Sequence, residues 1–479
     1  MPAVPWTRVK LAALLACAGV VYFYRIDRAS FGASEAYSIF AATQDSLRAV
    51  IAASLSFDPG KPPLYQLLLH GYLNIFGASE LSARSFSACF GLITTLLLYQ
   101  LVATSVSDRA GLVAATLWSF NPYVVMIAQW ARPYSLLAFT VVLSMYTLWR
   151  ARRAATPVNL ALLTLSLAAC LYAHMAGVLC VAAAMLVIAT DYFRERKNSI
   201  AAGAAVLASL VMFLPFLTTE ARQAHSLLYG HWLDWAGFPH HVSAARILVV
   251  TVAAAAALGV ALSPWSNRFR NGRAVQFYLI WTLIPALAIT TISLALRPLW
   301  AIRYFVPSLL AGSALAAICL DRLRPWLRVA VCTIVVLGFV LGISIYEFGR
   351  REPWTLMTVL IRQEGGDTQP VFFEKGSIIN AGGMGTDGFP EGYYRVPFDL
   401  YFKGGAPRMV VDSSDPEAAR ADIGAAALRF GGAWLISGKD DVTASNELPQ
   451  RGFLIRRLMS DRQTTLYHVI PLNPDGDNR

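Results

Sequence analysis

A helical protein that crosses the membrane many times and ends in a small α/β domain is the fold class this sequence predicts. Three observations carry that expectation. Of the 479 residues, 56% are hydrophobic and only 14% charged, whereas a soluble chain carries about a quarter charged residues. Windows of some twenty apolar residues, about the length that crosses a hydrocarbon core, recur from the N-terminal region to Tyr346, separated by short polar loops. Beyond Tyr346 the composition turns to Gly, Asp and Pro with short strand-like runs.

The apolar windows place helices near 9–24, 85–105, 110–128, 134–149, 158–172, 175–191, 200–217, 246–263, 275–296, 304–320 and 329–346, about eleven spans. The first lies behind Arg8 and Lys10 like a signal peptide, but no small-residue cleavage site closes it before Arg25. An uncleaved helix is therefore the simpler expectation. Pro62 to Phe76 is amphipathic and shorter than a span, which predicts a juxtamembrane helix lying in the interface.

Basic residues cluster in alternate loops: Arg8 and Lys10; Arg109; Arg150, Arg152 and Arg153; Arg194, Arg196 and Lys197; Arg268, Arg270 and Arg273; Arg322, Arg324 and Arg328. Because cytoplasmic loops are enriched in Lys and Arg, this pattern puts the N-terminus in the cytoplasm. Two long loops, 25–84 and 218–245, and the C-terminal domain then lie outside a cell (inner) membrane. Two domains are expected: a membrane domain over 1–349 and a soluble α/β domain over 350–479. In the latter, runs at 371–373, 409–411, 434–436 and 465–470 read as strands, and Pro416 to Phe430 as a helix capped from Ser413 to Asp415.

The net charge of +11 is accounted for by those loop clusters, so no nucleic-acid partner is expected. All six cysteines fall in apolar segments, which leaves no disulfide framework and no zinc site. Gly382 to Gly385 lacks the helix that a nucleotide-binding glycine turn requires.

The first outer loop is dense in ionisable groups. Glu35 stands alone at the start of an apolar stretch, where an acid meets lipid-borne substrates or simply favours a helix N-terminus. His174 interrupts a continuous apolar run at an outer turn, and an ionisable group at that depth is a functional candidate. Its alternative is a hydrogen bond to a neighbouring carbonyl. Trp232 to Trp235 reads as an interfacial stretch.

Ser34-Glu35-Ala36, Lys61-Pro62-Pro63-Leu64-Tyr65, Phe76 to Arg84, Gln129 to Leu136, Tyr172-Ala173-His174 and Arg303-Tyr304 follow one another in an order that resembles the GT-C glycosyltransferases. Within them the chain is similar to the protein O-mannosyltransferases and the bacterial lipid A aminoarabinose transferases, over roughly residues 8–350. The resemblance implies a polyprenyl-phosphate sugar donor in the membrane lipid and a lipid, glycan or protein acceptor. It also implies inverting transfer with Glu35 as general base. Lys61, Arg132 and Arg303 would hold the donor phosphate, as fixed cations stabilise a leaving phosphate in a poorly hydrated site. Tyr65, His174 and Tyr304 would contact substrate. The bland reading of the three cations is that they anchor helix ends.

Members of this group often carry a second acid beside the base and a third in the Gln-x-Ala-Arg segment. Here Ser34 and Trp130 occupy those places. One acid is a poor set for a divalent metal, so no cofactor is expected. Two other classes compete: a transporter or flippase of a lipid-linked sugar, and a non-catalytic binder. A transporter favours charges at mid-membrane and repeated halves, neither of which the sequence offers.

Overall fold

The structure is a computed structural model that describes residues 5–57, 62–229, 272–295, 302–349, 354–364, 368–374, 392–411, 415–438, 448–460 and 464–472. It divides into two compact units. One comprises 1–27, 41–228 and 237–349; the other comprises 28–40, 229–236 and 350–479.

The first unit is helical. Its helices include α1 (Pro5–Phe23), α3 (Leu47–Phe57), α4 (Leu64–Phe76), α5 (Glu80–Ser105), α6 (Asp108–Ser119), α7 (Pro122–Ala128), α8 (Tyr134–Arg153), α9 (Pro157–Ala173), α10 (Gly177–Asp191) and α11 (Arg196–Tyr229); α2 (Ala33–Ala42) runs across the boundary of the two units. Helices Gly272–Ala295, Val306–Asp321 and Pro325–Gly349 follow. Among the described residues six helices are long and apolar enough to cross a membrane, or seven if the bent pair α6–α7 counts as one span. The expected helix at 246–263 lies outside the described residues.

Local chemistry explains where the elements depart from the hydropathy windows. Helix α5 starts five residues before its window because Ser79 caps it: its side chain accepts from Ser82 N at 3.2 Å while Ser82 Oγ accepts from Ser79 N at 3.0 Å. The window at 110–128 is two helices bent by 69°. The break falls at Asn121-Pro122, where Asn121 Oδ1 accepts from Tyr123 N and Pro122 opens the next helix without a donor to lose.

Small residues let the helices approach closely, as is usual in membranes. A Cβ on Gly111 would stand 2.9 Å from the Tyr99 carbonyl. Buried hydroxyls bond back to their own helix, Thr95 to Gly91 O and Thr140 to Leu136 O, or across helices, Thr147 to Ser166. These hydroxyls are thus satisfied without water. On Pro325–Gly349, by contrast, Ile334, Leu337 and Leu341 are all more than 60% exposed, as expected where lipid is the solvent.

The second unit is built on a five-stranded mixed sheet of order β2-β1-β3-β5-β4: β1 (Val371–Glu374), β2 (Arg408–Val411), β3 (Ala433–Gly438), β4 (Phe453–Ser460) and β5 (Thr464–Pro471). Strands β2, β1 and β3 are parallel, and β3, β5 and β4 are antiparallel. Alternate residues serve opposite faces. Val371, Phe373, Trp434 and Ile436 pack with helices Trp354–Glu364 and Gly392–Tyr401, while Phe372 and Leu435 pack with Pro416–Phe430. Both faces are covered, which is why β1 reads as unbroken apolar residues. The Pro416–Phe430 helix is capped by Asp415, whose side chain accepts from Ala418 N. Strand β4, which the sequence does not announce, is an edge strand interrupted by Arg456 and Arg457 and by a bulge before Met459, a charged and irregular edge of the kind that resists further pairing.

Candidate functional site

Glu35 occupies the third position of α2 and is 2% exposed. Its Oε2 accepts the Gly32 backbone N–H at 2.9 Å, the carboxylate half of a capping box. The segment around it is tied to the C-terminal domain of the same unit. Phe31 N donates to Tyr401 Oη at 2.6 Å and the two rings lie 6.5 Å apart. Ser30 Oγ and Thr355 Oγ1 are 2.7 Å apart, and Thr355 N donates to Ser30 Oγ at 3.2 Å. Residues more than 300 positions away thus hold the acid-bearing loop.

In the helical unit a different set converges. Arg132 lies in the turn between α7 and α8 and is 3% exposed; its N–H donates to Trp130 O at 2.7 Å. His174 terminates α9 and is likewise buried. Its Nδ1 accepts from Ala176 N at 3.0 Å, so a neutral ring carries its proton on Nε2. The turn is tight because Gly177 has no side chain: a Cβ there would stand 2.4 Å from the Cys170 carbonyl oxygen. The His174 ring packs between Tyr134 at 5.7 Å and Tyr304 at 6.0 Å, and Tyr134 also meets Trp130 at 5.7 Å. The Arg303 guanidinium lies 5.5 Å over the Tyr304 ring and within electrostatic reach of Tyr134 and Tyr123. An aromatic wall with a cation along one side is suited to a sugar face and an anionic leaving group.

Of the residues expected to act together, His174, Tyr304 and Arg303 are neighbours, and Arg132 precedes Tyr134 by two positions. The Tyr65 hydroxyl is 2.9 Å from Ser87 Oγ and its ring meets Phe86 edge-on, between α4 and α5. Lys61 and the Trp232 to Trp235 stretch lie outside the described residues. No group of three His, Cys, Asp or Glu side chains that could hold a metal ion occurs among the described residues.

The family model for dolichyl-phosphate-mannose-protein mannosyltransferase matches residues 60–218. No curated protein matches the chain by sequence. Among solved structures the chain is similar to ArnT from Cupriavidus metallidurans bound to undecaprenyl phosphate, with a TM-score of 0.58 at 15% identity over 97% of this chain and 98% of that one. The fold has the same extent in both. The two share the GT-C fold. The oligosaccharyltransferase AglB of Archaeoglobus fulgidus, in complex with an inhibitory peptide and a dolichol-phosphate, shares it with a TM-score of 0.52 at 14% identity, over 94% of this chain and 73% of that one.

Three residues of this GT-C fold escaped the sequence reading as site-builders. Arg84, fully buried, donates from Nη1 to Ile26 O at 2.9 Å, and Gln129 Nε2 donates to Val21 O at 3.1 Å and Tyr24 O at 3.2 Å. Together they satisfy carbonyls at and just beyond the end of α1, which helix geometry leaves without partners. Arg25 reverses the chain there with φ of 50°, a left-handed conformation uncommon outside glycine. Both side chains lie in motifs that carried the resemblance, 76–84 and 129–136, so the signal was visible but its role was not. Tyr134, also within 129–136, is the third such residue.

Proposed function

We propose that the protein transfers a sugar from a polyprenyl-phosphate donor to a lipid, glycan or protein acceptor on the extracytoplasmic side of the inner membrane, by inverting displacement. The observation that carries this reading is the end-to-end likeness to a GT-C structure bound to undecaprenyl phosphate. The buried Arg132 and the Arg303–Tyr304–His174–Tyr134 wall support it from within the chain.

In this scheme Glu35 accepts the proton of the acceptor hydroxyl or phosphate as that oxygen forms its bond to the anomeric carbon. The anomeric carbon's bond to the carrier phosphate breaks on the opposite face, so configuration inverts. The electron pair leaves with the phosphate, whose charge Arg132, Arg303 and Lys61 stabilise. Tyr304, His174 and Tyr65 contact the substrate and orient the sugar. The transfer runs without a metal ion, because Glu35 stands without the companion acids that would complete an oxygen cage. The N-terminus lies in the cytoplasm and the 350–479 domain outside, in line with the basic loops.

The test is release of free polyprenyl phosphate by purified protein in lipid, given a panel of polyprenyl-phosphate sugars and a membrane extract as acceptor source. Glu35→Gln is expected to lower release by at least about 100-fold, the lower end of what positioned acid–base groups contribute, at unchanged protein abundance. Undiminished release would remove Glu35 from the role. Binding of the carrier without release, in the presence of a competent acceptor, would favour a translocating or non-catalytic protein.

A further inference from the structure

At the basic ends of the helices a cavity of about 960 Å³ opens between α8, α10 and the helix Gly272–Ala295, lined by none of the site residues assigned above. Its composition is split. One end is lined by Arg152, Arg153, Arg194 and Arg273 with Asp191 and Glu195; the other runs along Leu186, Leu279, Leu283, Ile284 and Leu287. Four arginines against two acids leave a surplus of two positive charges, and both acids are already engaged. Arg152 Nη2 donates to Asp191 Oδ1 at 2.9 Å while its Nε donates to Oδ2 of the same carboxylate, and Arg273 Nη1 donates to Glu195 Oε1 at 2.6 Å.

Arg152 is the centre of the arrangement. Its side chain is nine-tenths buried, with Cζ 5.0 Å from the Trp149 ring and 5.4 Å from the Phe277 ring. The carboxylate fork and the two rings hold the guanidinium in one orientation at the wall of the cavity. A guanidinium held in place beside three further arginines is a fixed positive charge that favours an anionic group in the cavity. The apolar end is open to the bilayer, since Leu287 is 57% and Leu186 39% exposed. A soluble phosphate would leave that wall uncovered; a lipid covers it with acyl chain and places its phosphate among the arginines. Basic pockets between membrane helices recognise anionic headgroups in this manner.

We propose that this cavity is a binding site for an anionic membrane phospholipid, whose phosphate lies among Arg152, Arg153 and Arg194, with an acyl chain along Leu279–Leu287.

The experiment uses full-length protein, delipidated in neutral detergent and titrated with phosphatidylglycerol, with phosphatidylcholine of the same chains, or with glycerol 3-phosphate, the bound molecules being counted by native mass spectrometry. Two double variants are compared with the unaltered chain. Arg152→Gln with Asp191→Asn removes the fork as a neutral pair, and Arg153→Gln with Arg194→Gln leaves the fork intact. Phosphatidylglycerol is expected to be retained in preference to phosphatidylcholine, glycerol 3-phosphate to be lost, and retention to fall about fivefold for each arginine removed. Equal retention of the two lipids, or unchanged retention in both variants, would overturn the site. Saturation by glycerol 3-phosphate alone would overturn its assignment to a lipid.

Discussion

Removing one oxygen atom, in Tyr401→Phe, tests whether the C-terminal domain sets the position of Glu35. The hydroxyl accepts the Phe31 N–H at 2.6 Å, four residues before the acid, while the ring-to-ring contact at 6.5 Å survives in phenylalanine. Phe31 is 5% exposed, so its N–H has little water to turn to. A buried donor left unmade costs about 1–3 kcal/mol. That converts to roughly 5- to 150-fold in the equilibrium between docked and undocked loop, and kcat/KM for polyprenyl phosphate release should fall by up to that factor. Ser30→Ala removes another tether, to Thr355. The two substitutions act on one segment, so their effects should not add. The assay is release measured over a range of donor concentrations, with thermal unfolding in detergent alongside. A loss carried by kcat, with the unfolding temperature little changed, is the expected pattern. If both variants keep wild-type kcat/KM within about twofold, a smaller change than a single hydrogen bond predicts, the loop does not depend on the domain and the reasoning fails.

Three further predictions follow from other parts of the molecule. Arg84→Met keeps the volume but abandons the Ile26 carbonyl; it should lower stability by about 1–3 kcal/mol, seen as a lower unfolding temperature in detergent. Gly177→Ala drives a Cβ against the Cys170 carbonyl; the overpacking should cost about 1–3 kcal/mol and displace His174, so donor turnover should fall more than abundance does. In the C-terminal α/β domain His468 stacks on Trp434 with centroids 3.8 Å apart, and its Nε2 lies 2.9 Å from Gln369 Oε1. Its buried Nδ1 has no partner among the described residues, and burial pushes its pKa down to about 4, with Arg456 acting in the same direction and Glu364 against it. Because the unfolded chain binds the proton more readily, the contribution is full above about pH 6.5 and is lost as pH falls through about 4, up to about 3 kcal/mol in all. Hydrogen exchange in strands β3 and β5, corrected for intrinsic rates, should loosen across that window in the wild type and not in His468→Leu.

Much of this protein follows from one-dimensional pattern. Apolar windows and alternating basic loops report a solvent, and solvent acts on each segment separately; hence α1, α5 and the helices near 275–296 and 329–346 are legible without knowing their neighbours. The same holds for Pro416–Phe430, whose cap is local, and for β1, β3 and β5, whose side chains declare burial. Strand β4 was not legible because an edge strand with two arginines is defined by its partner and not by its own composition. Which residues meet was also beyond the sequence. His174, Tyr304 and Tyr134 come from three distant segments, and Arg84 and Gln129, which the sequence offered only within motifs, grip the end of α1. Glu35 was visible as a lone acid, but its dependence on Ser30, Phe31, Thr355 and Tyr401 was not, since pairs separated by some 300 residues leave no periodicity behind. Sequence alone determined the solvent of each segment and its local starts and stops. Only the tertiary structure decided the partners, because hydrogen bonds and ring contacts act over a few ångströms and depend on where the chain returns.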